Sequence, residues 1–230
     1  MKPLVVVNPP RADAEAVDAL GGLGVATVHE AQGRSGLLGT ELRPLWPGAR
    51  MAGTAVTVLC WSGDNLMVHV AVEQARPGDV LVITSSSPST DGLVGELLAT
   101  VMRVRGVRGL VVDAGVRDVA ELRRLEFPVW SRAISAQGTV KASAGSVNVP
   151  ISVGGTVVRP GDAIVADDDG VVCVPREQVA AVVAAGRARV EREDAARAAF
   201  AAGELGLDRY GLRPLLEKLG VSYVEWEEQR

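Results

Sequence analysis

The chain has 230 residues, 47% of them apolar and 3% aromatic, with a formal net charge of −4. That length supports one large domain or two small ones, with a core built on Val, Leu, Ile and Ala. The acidic balance offers no field to gather a phosphate backbone, and no segment approaches the roughly 20 apolar residues of a membrane span, so neither nucleic acid nor a bilayer is an expected partner.

In chain order, the opening run PLVVV ends at Asn8-Pro9-Pro10, too short for a signal-peptide core, and a cytoplasmic protein is expected. A helix is predicted over 12–20. The GGLG at 21–24 lacks a preceding strand and the full dinucleotide spacing, so no cofactor loop is read there. A strand over 53–60 (GTAVTVLC) leads to a helix over 64–75 (DNLMVHVAVEQA). RPGDVLV at 76–82 is echoed by RPGDAIV at 159–165. Pro presets φ and Gly accepts a positive φ in a type II turn, and each turn launches a β-branched strand. Helices are predicted over 92–105 and 118–125, and strands over 109–113, 127–131, 138–149 and 170–174. Asp169-Gly170 between two apolar runs marks a hairpin. The adjacent carboxylates of DDDG are not read as a cation loop, because neighbours on an extended chain point to opposite faces. A long Ala- and Arg-rich helix over 176–203 and a short one over 210–219 close the chain. Cys60 and Cys173 form no CxxC or CxH pattern and sit in apolar runs, where cysteine acts as a small buried hydrophobe. The alternation of strands and helices gives an α/β fold.

DAGVRD, residues 113–118, gathers Asp113, Arg117 and Asp118 at one bend after a buried strand. Two readings of Asp118 stand. It is a residue type that caps a helix beginning at Val119. It is also a carboxylate with about four lone-pair sites, placed where open α/β sheets collect their ligands. Upstream, STDGLVGELLATV opens a helix whose first amides, around Gly95, Glu96, Leu97 and Leu98, form an anion site. If the two corners face each other, the pocket holds an anion cradle, a guanidinium and a carboxylate for a hard cation.

That set suits carbon–carbon cleavage beside a 2-oxo acid. Magnesium takes one or two carboxylates and keeps several waters, which a bidentate 2-oxo acid can displace. The metal would act as a Lewis acid, and Arg117 would stabilise the enolate oxygen. The rival electron sink is a lysine Schiff base. Of Lys2, Lys141 and Lys218, Lys141 is its one candidate, and nothing nearby in the sequence marks it as desolvated.

The segments GELLATVMRVRGVRGLVVDAGVRD, FPVWSRAISAQGTV, GVATVHEAQGR (24–34), GDNLMVHVAVEQARPGD (63–79) and GSVNVP (145–150) carry a resemblance over nearly the full length. With them the chain resembles the divalent-metal, pyruvate-forming aldolases that act on 4-hydroxy-4-methyl-2-oxoglutarate and 4-carboxy-4-hydroxy-2-oxoadipate. The regulator of ribonuclease E activity shares their fold. The tail GELGLDRYGLRPLLEKLGVSYV (203–224) is similar to the 4-carboxy-4-hydroxy-2-oxoadipate branch, which also decarboxylates oxaloacetate. The resemblance implies a swivelling-domain-like α-β-β-α sandwich. It implies a core over 1–175 and a C-terminal helical extension over 176–230 that packs on a neighbouring subunit of a homotrimer or homohexamer. It implies that Asp118 ligates Mg²⁺ or Mn²⁺ directly, with Glu96 and Glu193 reaching the metal's waters, Glu193 (or Glu191) coming from the neighbouring subunit. It implies that Arg117 contacts the oxo group, that the backbone of Gly95 to Leu98 holds the pyruvate carboxylate, and that Asn65 and His69 line the pocket. Asp113 is expected to orient Arg117. A non-catalytic protein that binds a ribonuclease is the rival expectation.

Overall fold

The structure, a computed structural model, describes residues 2–226. Its strands are β1 (Leu4–Val5), β2 (Arg43–Pro44), β3 (Met51–Cys60), β4 (Asp79–Ser85), β5 (Gly92–Val94), β6 (Gly109–Val116), β7 (Val129–Ile134), β8 (Ser146–Val147), β9 (Ile151–Val153), β10 (Thr156–Val158), β11 (Ala163–Asp167) and β12 (Gly170–Val174). Its helices are α1 (Ala14–Leu23), α2 (Val25–Ala31), α3 (Leu66–Gln74), α4 (Glu96–Val104), α5 (Val119–Arg124), α6 (Val179–Ala201), α7 (Gly206–Arg209) and α8 (Arg213–Lys218).

A parallel run β3-β4-β6-β7 forms the centre of the main sheet. These strands are near-continuous Val, Leu and Ile because both faces are covered, as parallel sheets require. One face packs on α3, α4 and α5 through residues such as Val68, Ile83, Met102, Val112 and Leu122. The other face, with Val82, Val111 and Trp130, packs on Ile151, Val158, Ile164 and Cys173. A third apolar layer joins β11 and β12 to α1, α2 and the start of α6. The layers run helix, sheet, sheet, helix, the expected α-β-β-α order.

The chain divides after Arg187 into two compact units. The resemblance implied a core ending at 175; Val179, Val182 and Val183 are buried with α1 and β12, so the first turns of α6 are part of the core. In the second unit no described residue is buried.

Both RPGD segments fold alike. Asp79 N–H donates to Arg76 O and Asp162 N–H to Arg159 O, with Gly78 and Gly161 at φ 92° and 82°. The DDDG segment is the β11–β12 hairpin, with Asp167 paired to Gly170. Asp167 accepts from Val25 N–H at 2.9 Å and so starts α2, a helix the sequence pattern did not reveal. Cys60 and Cys173 are buried free thiols, and burial pushes Cys60 up to about 12 and Cys173 higher still.

Two expected elements are corrected. The helix predicted over 92–105 begins at Glu96, because Gly92–Val94 pair with β6 as a short strand. The strand predicted over 138–149 survives as Ser146–Val147 and an isolated bridge at Val140. The amides of Ala142 and Ser143 are taken by the Asp64 carboxylate, so they cannot join a ladder.

Candidate active site

The site forms where β5 and β6 end. Gly95 leaves β5 in an extended conformation, φ −135° and ψ −166°, and α4 starts at the next residue. The first N–H groups of a helix have no carbonyl one turn back, so they point outward as donors. Asp118 Oδ2 accepts from the first of them, Glu96 N–H, at 3.0 Å. The amides of Leu97 and Leu98 follow on the same turn.

Asp118 reaches α4 because its backbone is left-handed, φ 57° and ψ 41°. That region costs most side chains about 1–2 kcal/mol, and Asp is among the few that tolerate it. The bend turns the carboxylate away from α5, which receives no side-chain cap from it. The capping role open to Asp118 in the sequence is therefore corrected: it satisfies an amide of α4, not of its own helix.

Arg117 is fixed by its own N–H, which donates to Val94 O at 3.0 Å. Its Nε lies 3.9 Å from Asp118 Oδ2, and the two side chains are 47% and 41% exposed. A half-exposed pair at that distance contributes little to stability. Gly95 is required for space rather than for φ. A Cβ there would lie 2.2 Å from Asp118 Oδ2 and 3.2 Å from Arg117 Nε. Gly138 is similarly close, its Cβ position 3.0 Å from Arg117 Nη1.

These groups open into a cavity of about 140 Å³ that also takes in Asn65, His69, Leu97, Leu98 and Lys141. Asn65 is buried and its Nδ2 donates to Leu93 O at 2.9 Å. Its Oδ1, also buried, has no hydrogen-bond partner among the described residues. Leaving such an acceptor unmet costs about 1–3 kcal/mol, which a donor on a bound molecule would recover. Burial, and then the charge of Lys141, lower the pKa of His69. The imidazole is thereby biased to its neutral, proton-accepting form.

Sequence reasoning weighed Lys141 only as a Schiff-base candidate and did not place it at this site. It lines the same cavity although it lies in the irregular segment between β7 and β8. Its location follows from Asp64, a buried carboxylate 78 positions away from Ala142 in sequence. No local pattern could have signalled it.

Other expected site residues lie elsewhere. The Glu96 side chain accepts from Thr100 Oγ1 at 2.8 Å, along α4. Glu193 belongs to the second unit, where it pairs with Arg189 at 2.7 Å. Asp113 does not orient Arg117. It pairs with Arg132, whose Nε lies 2.7 Å from Oδ1. The reason is strand alternation: Val112, Ala114 and Val116 face the α3–α5 layer, so Asp113 points to the opposite face.

For a divalent ion, the donors present are hard oxygens. Asp118 spends one oxygen on a backbone amide and keeps the other at the cavity. No group of three or more His, Cys, Asp or Glu suited to a metal occurs among the described residues. The arrangement fits an ion held by one carboxylate and water, the habit of magnesium, and not a closed protein cage. No helix among the described residues is long and apolar enough to cross a membrane.

Residues 13–173 match the family model RraA-like: Aldolase/RraA. A protein of Halalkalibacterium halodurans, provisionally named a 4-hydroxy-4-methyl-2-oxoglutarate aldolase, is 39% identical over 141 residues, 61% of this chain and 67% of the relative. Among solved structures, a Pseudomonas syringae protein superposes with a TM-score of 0.74 at 26% identity, covering 86% of this chain and 97% of that one. Streptomyces coelicolor RraAS2, described as an unusual member of the RNase ES inhibitor RraA protein family, gives 0.73 at 29% identity, with 83% and 99% covered.

Proposed function

Since the chain belongs to the RraA-like (Aldolase/RraA) family, we propose that it is a divalent-metal-dependent pyruvate aldolase. Its proposed reaction cleaves 4-carboxy-4-hydroxy-2-oxoadipate to pyruvate and oxaloacetate, in the bacterial breakdown of aromatic acids. The observation that carries this reading is the contact between Gly95, Arg117 and Asp118. A glycine is needed at 95 because a carboxylate and a guanidinium occupy the space of its side chain, at a helix N-terminus.

The α4 amides would hold the substrate's 2-oxo acid carboxylate. Mg²⁺ or Mn²⁺ on Asp118, with Glu96 and Glu193 of a neighbouring copy reaching its waters, would supply Lewis-acid polarisation of the oxo group. Arg117 presents a fixed fork of donors to the oxyanion that develops there. The C4 hydroxyl loses its proton to His69, directly or through water, or to Glu193. The electron pair of the O–H bond forms the new carbonyl as the C3–C4 bond breaks. The released pair becomes pyruvate enolate, which is then protonated at C3. Decarboxylation of oxaloacetate gives the same enolate, so one site would serve both activities. Asn65 Oδ1, unmet among the described residues, would accept from a substrate hydroxyl. The extension would pack on a neighbouring subunit of a trimer or hexamer and place Glu193 at the partner's cavity.

A pyruvate-coupled assay tests the reading. Turnover of 4-carboxy-4-hydroxy-2-oxoadipate that is lost with EDTA and restored by Mn²⁺ is expected; undiminished turnover in chelator breaks it. The similarity to RraAS2 favours a second reading, a non-catalytic ribonuclease-binding protein. Capture of a ribonuclease by the purified chain, with no metal-dependent turnover, would establish it instead.

A further inference from the structure

We propose that Asp64 is a positioning residue for this site. Its carboxylate fixes segment 137–143 across the cavity, and so sets Lys141 to bind a second carboxylate of a 2-oxo acid that carries more than one. The inference rests on the aldolase reading above and assigns the part of it that discriminates among substrates.

Asp64 is 2% exposed. A buried carboxylate is costly unless hydrogen bonds replace its water. Here Oδ1 accepts from Leu66 N–H at 2.8 Å, and Oδ2 accepts from Ala142 N–H at 2.8 Å and Ser143 N–H at 2.7 Å. Burial alone would raise its pKa, but these backbone donors outweigh it, and the carboxyl lies below its ordinary range. Capping α3 needs the Leu66 bond alone. The other two bonds reach to a distant, irregular segment, and capping does not account for them.

That segment is pinned along its length. Gly92 N–H donates to Gln137 O, Val140 N–H to Gly63 O, and Asn65 N–H to Val140 O. Lys141 therefore sits between Val140, held by two backbone bonds, and Ala142, held by Asp64. Its Cα is fixed while its flexible stem remains free. The same aspartate accepts from Leu66 N–H at the first residue of the helix that carries His69.

Charge gives the segment its role. Arg117 and Lys141 are the cations lining the cavity. Arg117 faces the oxo group and the α4 amides face the first carboxylate, which leaves Lys141 for a second. An ammonium on a flexible stem suits a carboxylate whose position varies between substrates.

The test measures binding by calorimetry with Mg²⁺ present. The probes are pyruvate, with one carboxylate, and 2-oxoadipate, with two and no hydroxyl to cleave. Asp64→Asn and Lys141→Gln are each expected to weaken 2-oxoadipate about tenfold, the scale of one lost charged hydrogen bond, and to leave pyruvate within about twofold. The double variant should be no weaker than either single one, since both remove the same contact. Equal losses for both probes, or additive losses, would overturn the proposal. Should Asp64→Asn fail to fold, amide exchange of the wild-type protein decides. Slow exchange at Ala142 and Ser143 that quickens in Asp64→Glu supports the clamp, and free exchange in the wild type overturns it. Wild-type protein that binds neither probe breaks the aldolase reading itself, and this inference with it.

Discussion

The aspartates of the two RPGD turns and the aspartate of the DAGVRD corner each sit at a tight bend beside a strand end, yet they are used in opposite ways. Asp79 is 1% exposed and accepts from Arg11 Nε at 2.9 Å, Arg11 Nη2 at 2.8 Å, Thr54 Oγ1 at 2.5 Å and Arg76 N–H at 2.8 Å. Asp162 is equally buried and accepts from Arg159 N–H and Arg176 N–H. Their charges are consumed inside the chain. Asp118 has one amide bond, a distant guanidinium and a side chain 41% exposed. Asp79 and Asp162 saturate their lone pairs within the chain, whereas Asp118 keeps some available to a ligand.

Substitutions can break that contrast. The largest effect is expected at Asp118→Asn, which keeps an acceptor for Glu96 N–H but removes the charge. Turnover should fall by about 10³-fold, the scale of losing a preorganised electrostatic group, with the melting temperature nearly unchanged. A large loss of stability would return Asp118 to the structural class. The converse holds at Asp79→Ala, which strands the largely buried Arg11 and should cost about 3 kcal/mol in denaturant unfolding; a variant as stable as wild type would mean the turn does not depend on it. Gly95→Ala should displace the Asp118 carboxylate and lower kcat/KM by about 10²-fold, as a misplacement of about 1 Å does. Full activity in that variant would show that the close packing at Gly95 is idle.

The smallest effect concerns pH. His69 accepts a proton only in its neutral form, which exists above its pKa. Burial and Lys141 lower that pKa, so on the proposed mechanism they would extend activity toward acid. In Lys141→Gln the second cause is gone, so the acid limb of the kcat/KM profile should move to higher pH. A limb that stays in place, or moves lower, means that His69 is not the base.

How much of this was legible depended on sequence distance. The Arg117-Asp118 pair and the Gly95 cradle carry motifs that announce themselves, because each is a short run of unusual residue types at an element boundary. The α/β class followed from apolar runs and turns of the RPGD kind, while the α-β-β-α layering came only from the family resemblance. The strand expected over 138–149 forms only at Ser146–Val147 and the Val140 bridge, because alternation alone does not commit a backbone to a ladder. The backbone of segment 137–143 is committed to Asp64 and Gly63 by contacts that no window of local sequence contains. Asp113 was misassigned for a related reason: adjacency in sequence suggested a shared site, while the pleat of β6 sends it to the other face of the sheet.

The left-handed backbone at Asp118 has an evolutionary consequence. Glycine would occupy that conformation at lower energy, and asparagine at similar energy. Selection of this chain for heat resistance alone would therefore favour Gly at position 118, be indifferent between Asp and Asn, and give up the proposed chemistry. An aspartate kept there is the outcome expected if position 118 is held for its charge, as the proposed function requires.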